Sequence, residues 1–267
     1  GGSSAFTMSS AAGQLTGSPN TIFNHFTITG VISANSDFYV AGNFTNNGTY
    51  DGTQAALNMV GGNAANIGGT TTPCSLSQLV IAKSGAAVVT MNVNLSDVSI
   101  LFIQSGVLFT STYTITQDGG GGFLLIDDGA TLRLGGNNSL PGFSGYGLDA
   151  NSNVDYAGTT QSIGNAAIYG NLLLTAAGNK NAIVPFTTLG NFTLTNGTFT
   201  SIVSVTHSIG GNWLMSGGTF NNTNISIVMN GTTNQDISST GAFKNLTINK
   251  VSGLITLSSN ATVNTAL

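Results

Sequence analysis

The chain has 267 residues, of which 40% are hydrophobic and 5% charged, with a formal net charge of −4 at pH 7; an ordinary soluble domain carries about 25% charged residues. With Lys and Arg numbering only five and scattered, there is no basic groove for nucleic acid, which needs clustered cations, and no polybasic attachment to anionic lipid. No apolar run reaches the roughly 18 residues that a membrane-spanning helix requires.

All nine acidic residues are Asp. Without Glu, and with little Lys or Arg, the chain lacks the residues that usually cover exposed helix faces. Thr, Ser, Asn, Gly, Val, Ile and Phe dominate instead. They supply β-branched and aromatic strand positions and turn residues that tolerate positive φ. The composition predicts an all-β chain without long helices.

The N-terminus reads Gly1-Gly2-Ser3-Ser4, with neither an initiator Met nor a signal peptide, the pattern of a mature fragment or of part of something longer. Gly13-Gln14-Leu15-Thr16-Gly17 then leads to Phe23-Asn24-His25-Phe26-Thr27-Ile28, a turn followed by an extended run. Gly42-Asn43-Phe44-Thr45-Asn46-Asn47-Gly48-Thr49-Tyr50 has a different pattern: Gly-Asn-aromatic, a short extended run, a Gly-containing turn, then Thr-aromatic. A second turn-to-strand copy runs from Gly61-Gly62-Asn63 to Leu76-Ser77-Gln78-Leu79-Val80-Ile81. Within it lies the single cysteine, Cys74, in Thr71-Thr72-Pro73-Cys74-Ser75. One cysteine permits no intrachain disulfide. Its only possible base partners, His25 and His207, are remote in sequence, so Cys74 reads as a small buried side chain.

Residues 105–150 diverge from these patterns and read as a loop-rich middle. Asp118 followed by Gly119–Gly122 is a loop, too poor in oxygen ligands for calcium and lacking the Gly-Lys-Ser/Thr of a phosphate loop. Leu125-Ile126-Asp127-Asp128-Gly129-Ala130-Thr131-Leu132-Arg133-Leu134 reads as strand, Asp-Asp-Gly turn, strand. Tyr113, Phe143 and Tyr146 are the aromatics that loops in this region could present to a ligand.

The repeats return in the second half of the chain. Gly158-Thr159-Thr160-Gln161-Ser162-Ile163-Gly164 leads to Asn171-Leu172-Leu173-Leu174. Gly231-Thr232-Thr233-Asn234-Gln235-Asp236-Ile237-Ser238 leads to Phe243-Lys244-Asn245-Leu246-Thr247-Ile248. Between them, Gly190-Asn191-Phe192-Thr193-Leu194-Thr195-Asn196-Gly197-Thr198-Phe199 and Gly211-Asn212-Trp213-Leu214-Met215-Ser216-Gly217-Gly218-Thr219-Phe220 repeat the Gly-Asn-aromatic pattern 21 residues apart. Runs such as Leu246-Thr247-Ile248 alternate apolar and polar, the period of a half-buried strand.

Phe26, Leu79, Leu172 and Leu246 read as one position in the turn-to-strand pattern, at separations of 53, 93 and 74 residues. Propeller blades must be nearly equal in size. A solenoid tolerates unequal spacing, because each coil contacts only its neighbours. The expected fold is therefore a right-handed parallel β-helix, a β-solenoid with coils of about 20 residues, continuous over residues 1–267 and part of a longer repeat chain. A dozen coils stacked at roughly 4.8 Å would form a rod on the order of 60 Å long. Stacking predicts Phe192 on Trp213, Phe199 on Phe220, and a coil-to-coil ladder of Asn191 and Asn212. Neither Gly1–Thr7 nor Asn260–Leu267 carries a capping helix or charged cover, so we expect the chain to continue or to stack against a partner.

The Gly158–Gly164 and Gly190–Phe199 patterns resemble the repeats of very large secreted surface proteins of Bacteroidetes. Many of those are exported by type IX secretion and include adhesins of the gliding-motility kind. More loosely, the patterns resemble autotransporter and filamentous-haemagglutinin repeats. The resemblance covers most of residues 8–262, with a divergent middle near 85–150. It implies a structural or adhesive β-helical stalk at the cell surface, without catalytic residues or cofactors. The implied partners are further repeats of the same chain or a neighbouring surface protein, with glycans or another cell surface as possible targets. No secretion-sorting domain is present in the 267 residues.

Enzymatic readings find little support in the sequence. Pectin-hydrolysing β-helices combine paired Asp with Gly-His-Gly and Arg-x-Lys, and here Asp127-Asp128 has neither companion. Lyase-type sites place an Arg or Lys base beside calcium-binding Asp clusters, and Arg133 is the only Arg. No His/Cys cluster has zinc spacing. The alternative function is a carbohydrate-binding or, less readily, carbohydrate-cleaving β-helix using Tyr113, Phe143 and Tyr146. Ice binding would need strict Thr-x-Thr ladders, whereas Thr27–Thr29 and Thr193–Thr195 occur irregularly. Asn-x-Ser/Thr triplets at Asn43, Asn191, Asn230 and Asn245 follow from the composition and are glycosylation acceptors only in a secreted eukaryotic setting.

Overall fold

The computed structural model describes residues 5–16, 21–53 and 55–264. The expected Gly1–Ser4 start, the turn at Gly17 and the last three residues lie outside them. Every regular element is a strand of two to six residues, and among the described residues no helix is long and apolar enough to cross a membrane. Each strand pairs in parallel with its counterpart one coil away. The step is 18 residues from Phe26 to Phe44, 21 from Phe192 to Trp213 and 24 from Ala65 to Val89. The fold is a parallel β-solenoid of about 12 turns. The chain separates into two compact units, Gly1–Leu132 with Pro141–Gly147, and Arg133–Leu140 with Leu148–Leu267.

The first unit builds three-sided coils. Its first face carries strands Ala5–Met8, His25–Ile28, Phe44–Asn46, Ala65–Gly68, Val88–Met91 and Val107–Phe109. The second face runs through Ile22–Phe23, Phe38–Val40, Ala56–Gly61, Gln78–Lys83, Ile100–Ser105 and Phe123–Ile126, ending at Gly145–Leu148. The third is divided, with Gly13–Leu15, Val31–Ala34 and Thr49–Asp51 in one sheet and Cys74–Ser75, Leu95–Val98 and Ile115–Gln117 in another. Strand alternation points every second side chain inward. In-register stacking then lines Phe38, Leu57, Leu79, Leu101 and Leu124 into one buried column. Phe26 and Phe44 stack with ring centroids 6.2 Å apart and planes 3° from parallel.

The second unit repeats the plan. Its first face carries Asn153–Tyr156, Asn171–Leu174, Phe192–Leu194, Trp213–Met215, Gln235–Ser238 and Ile255–Leu257. Its second carries Ile168–Tyr169, Thr187–Thr188, Val205–Ile209, Ile225–Met229 and Asn245–Ile248, and its third Gln161–Ile163, Asn179–Ala182, Thr198–Thr200 and Thr219–Phe220. Both expected aromatic pairs form. Phe192 stacks on Trp213 at 4.3 Å and 13°, and Phe199 on Phe220 at 5.8 Å and 16°.

One expectation is corrected. Phe26, Leu79, Leu172 and Leu246 do not occupy a single position. In the first unit Phe26 lies on the first face and Leu79 on the second; in the second unit Leu172 lies on the first face and Leu246 on the second. All three sides of a coil begin with a corner and continue with an alternating strand. The turn-to-strand pattern therefore marks a corner without saying which one. The Asp127-Asp128-Gly129 turn is present, with Ala130 N–H donating to Asp127 O at 3.1 Å and Gly129 at φ +79°. The strands it joins, Phe123–Ile126 and Thr131–Leu134, belong to different sheets. It is a coil corner, not a hairpin. The middle of the chain carries these two strands and Val107–Phe109, Ile115–Gln117 and Gly145–Leu148, with a strandless stretch at 135–144. Cys74 is fully buried, receives a hydrogen bond from Asn46 Nδ2 at 3.6 Å, and has its thiol pKa pushed up to about 11 by burial.

Candidate functional site

The lysine side chains are engaged by backbone carbonyls. At a corner the chain turns out of sheet geometry, and carbonyl oxygens of adjacent coils converge. An ammonium, with three donors and no acceptor, suits such a place. Lys83 Nζ donates to Ala41 O and Val60 O, both at 2.6 Å. Lys180 Nζ donates to Gly158 O, Thr159 O, Ala176 O and Ala177 O at 2.8–3.2 Å. Lys250 Nζ reaches Gly231 O at 2.5 Å, Thr233 O at 2.8 Å and Gln235 Oε1 at 2.7 Å, and Lys244 Nζ reaches Thr223 O at 2.7 Å. Arg133 Nε pairs with the buried Asp155 carboxylate at 2.9 Å. Lys83 and Lys180 are fully buried, and desolvation lowers their pKa values.

The recurrent amides have the same duty. Gln161 Oε1 accepts from Gly158 N–H at 2.9 Å while its Nε2 donates to Leu134 O and Asn138 O. Gln235 Oε1 accepts from Gly231 N–H at 3.0 Å while its Nε2 donates to Ile209 O and Gly211 O. The expected coil-to-coil Asn ladder forms. Asn191 N–H donates to Asn171 Oδ1 at 2.7 Å, Asn212 N–H to Asn191 Oδ1 at 2.8 Å, and Asp236 N–H to Asn212 Oδ1 at 2.7 Å. In these three rungs a side-chain oxygen accepts a backbone N–H at the entry to the strand of the next coil, and Asn171 Nδ2 extends the ladder to Asn153 Oδ1 at 3.2 Å. The first unit does likewise from Asn66 N–H to Asn43 Oδ1 and from Asn43 N–H to His25 Nδ1, each 3.0 Å. Of the sequon asparagines, Asn43 and Asn191 thus serve as rungs, Asn245 Nδ2 binds Ser226 Oγ at 3.0 Å, and Asn230 is exposed.

His207 is fully buried. Its Nδ1 accepts from Phe186 N–H at 3.2 Å, its ring stacks on Phe186 at 3.8 Å, and its Nε2 has no partner. Burial lowers its pKa to about 3, so the imidazole is neutral.

The three candidate ligand aromatics take different places. Tyr113 is half-buried on a turn closed by its N–H to Thr110 O at 2.9 Å. Phe143 is 7% exposed. The Tyr146 hydroxyl donates to Pro141 O and accepts from Phe143 N–H, both at 2.9 Å. Phe143 and Tyr146 therefore meet, and they fold their own loop. A sugar platform needs an open ring face and a free polar handle, and Tyr146 has committed its hydroxyl. Among the described residues no group of three or more His, Cys, Asp or Glu could hold a metal ion. A depression of about 410 Å³ at a corner of the first unit is lined by Asn24, His25, Asn63 and the backbone of Ala41-Gly42 and Gly61-Gly62, with no carboxylate in its walls.

One surface was not anticipated. On the second face of the first unit, Val80, Phe102 and Leu125 point outward in one column, beside Ile100 and Phe123 in another. Phe123 is 55% exposed and the others are half-buried. The inward residues of the same strands are also apolar. The signal was therefore legible as unbroken runs, Leu79-Val80-Ile81-Ala82, Ile100-Leu101-Phe102-Ile103 and Phe123-Leu124-Leu125-Ile126, where a half-solvated strand should alternate. The next strand exposes glycines in line. A Cβ on Gly145 would come within 2.5 Å of the Phe123 ring, and one on Gly147 within 2.8 Å of Leu125 Cδ2.

Charge is unevenly divided. The first unit holds Asp37, Asp51, Asp97, Asp118, Asp127 and Asp128 against Lys83 alone, a formal −5. The second holds Asp149, Asp155 and Asp236 against Arg133, Lys180, Lys244 and Lys250, a formal +1, which together return the net −4.

No protein-family model, curated protein or solved structure matches the chain.

Proposed function

We propose that the chain is a structural segment of an extracellular cell-surface protein, a β-helical stalk with an adhesive role and no catalysis. The observation that carries this reading is the commitment of its polar chemistry to coil-to-coil bonds. All five cationic side chains and the recurrent Asn and Gln residues bind backbone or carboxylate groups of the solenoid itself. The outward Thr, Ser and Asn positions that remain suit a passive rod. The resemblance of its repeats to those of secreted Bacteroidetes surface proteins supports the location, and further coils or a neighbouring surface protein are the natural partners. Antibodies against residues 5–264 should label intact cells of the source organism, and deleting the segment should weaken attachment. Labelling only after permeabilisation would refute the surface location, and unchanged attachment would remove the adhesive role.

A further inference from the structure

We propose that the outward side of strands Gln78–Lys83, Ile100–Ser105 and Phe123–Ile126 is a docking surface for a cationic amphipathic segment of another polypeptide, apolar on one side with Lys or Arg along both margins. This inference does not depend on the stalk reading.

Composition sets the surface apart. Outward positions on the first face of the same unit carry Thr7, Thr27 and Thr45 in register, and further along Val88 beside Val107 and Thr90 beside Phe109, without a comparable cluster of large exposed side chains. On the second face the outward positions include Val80 and Ala82, Ile100 and Phe102, and Phe123 and Leu125, with Gln78 and Gln104 at the ends of the first two strands. Shape adds to the contrast. Glycines at 145 and 147 project nothing outward, so Phe123 and Leu125 lean over that strand and end the apolar surface in a low shelf. With outward residues spaced at twice about 3.3 Å and coils about 4.8 Å apart, the two apolar columns lie about 7 Å apart and run about 10 Å across the three strands. That accommodates about two turns of helix at about 5.4 Å per turn.

Charge selects the occupant. Asp97 lies in the third-face strand Leu95–Val98, three residues before Ile100, Asp118 lies in the loop leading into Phe123–Ile126, and Asp127-Asp128 follow Ile126 directly. Asp97 and Asp128 are exposed. Lys83, the one Lys or Arg of the unit, is buried against Ala41 and Val60 carbonyls. A second copy of the chain would bring further Asp and only lysines already bonded to carbonyls. An anionic membrane would be repelled. A segment with apolar residues centred on Phe102 and Phe123 and cations at its edges satisfies both the hydrophobic surface and its acidic margins.

The test uses the full 267-residue chain and a labelled synthetic peptide of about 14 residues, helical, with Leu on one side and Lys at both margins. The control peptide has equal charge and Ser in place of Leu. Fluorescence anisotropy should show binding that weakens at least about tenfold for the Ser peptide and for the Phe123→Thr/Leu125→Thr protein. It should weaken several-fold for Asp97→Asn/Asp128→Asn and when salt rises from about 50 to about 300 mM. Phosphatidylcholine vesicles should not bind. Absent binding, equal binding of the two peptides, or binding indifferent to Phe123 and Leu125 would overturn the proposal, and vesicle binding without peptide binding would reassign the surface to lipid. If the double variant misfolds by circular dichroism, the two-peptide comparison on the unaltered chain decides.

Discussion

Acid should destabilise the second unit through one side chain, His207. In the unfolded chain an imidazole titrates near 6.5, whereas burial in the fold holds it near 3. Below about 6.5 the unfolded chain takes up a proton that the folded chain refuses, so stability falls as the pH drops, with the loss complete near 3. Each pKa unit is worth about 1.4 kcal/mol, giving roughly 2–3 kcal/mol lost by pH 4.5 and about 5 kcal/mol as the limit. This is a large fraction of a typical stability of about 5–15 kcal/mol. The single tryptophan, Trp213, is fully buried in the same unit, so its fluorescence reports on the unit that holds His207. Urea unfolding of the native chain and of His207→Phe should be followed at pH 7, 5.5 and 4.5. Phe keeps an aromatic ring against Phe186 and removes the titration. It also leaves Phe186 N–H unpaired, costing about 1–3 kcal/mol at neutral pH. That cost does not vary with pH, and Asp titration is common to both proteins. The two stabilities should therefore converge as the pH falls. Curves that stay parallel from pH 7 to 4.5 would refute the neutral, buried imidazole.

Four further outcomes follow from the structure. Trp213→Ala should cost about 3–5 kcal/mol in urea unfolding followed by far-ultraviolet circular dichroism, because it empties a fully buried site stacked on Phe192. Lys180→Met should cost about 2–4 kcal/mol, since it strands four carbonyls in a buried corner. In the native chain Lys83 and Lys180 should resist amine acetylation while Lys244, whose side chain is at the surface, is modified, as read by peptide mass spectrometry; equal labelling would contradict their burial. Gly158→Ala should destabilise by more than about 2 kcal/mol, because its Cβ would lie 1.9 Å from Gly136 O and backbone must move to relieve it.

The architecture was readable in the sequence because it depends on quantities that sequence displays. Glu is absent, Gly and Asn punctuate short runs, and the interval between Phe192 and Trp213 is the coil itself. Aromatic pairing at that interval needed only in-register stacking. The assignment of faces was not readable. Gln161 begins a third-face strand and Gln235 a first-face strand, yet each closes its own glycine N–H and two carbonyls in the same manner. The motif encodes the hydrogen-bonding needs of a corner, and a three-sided coil offers that corner three times. Unequal spacing of the motif reflects this choice among corners as well as the number of intervening coils.

The surface chemistry was legible in a different and more local way. Tyr146 was singled out as an aromatic in a divergent stretch, but sequence does not reveal whether a hydroxyl is spent on a neighbouring carbonyl, and Pro141 is only five residues away. The apolar outward surface, by contrast, was written in Ile100-Leu101-Phe102-Ile103 and Phe123-Leu124-Leu125-Ile126. Unbroken runs of this kind ordinarily mean a strand covered on both sides. In this solenoid the inner side of each is buried and the outer side is not, with Phe123 more than half exposed. A strand that is apolar on both sides and covered on one leaves hydrophobic surface whose burial is favourable at about 25 cal/mol per Å². The acidic residues beside these strands then restrict which segment can bury it, because they favour Lys or Arg at the margins and disfavour a second chain of the same charge.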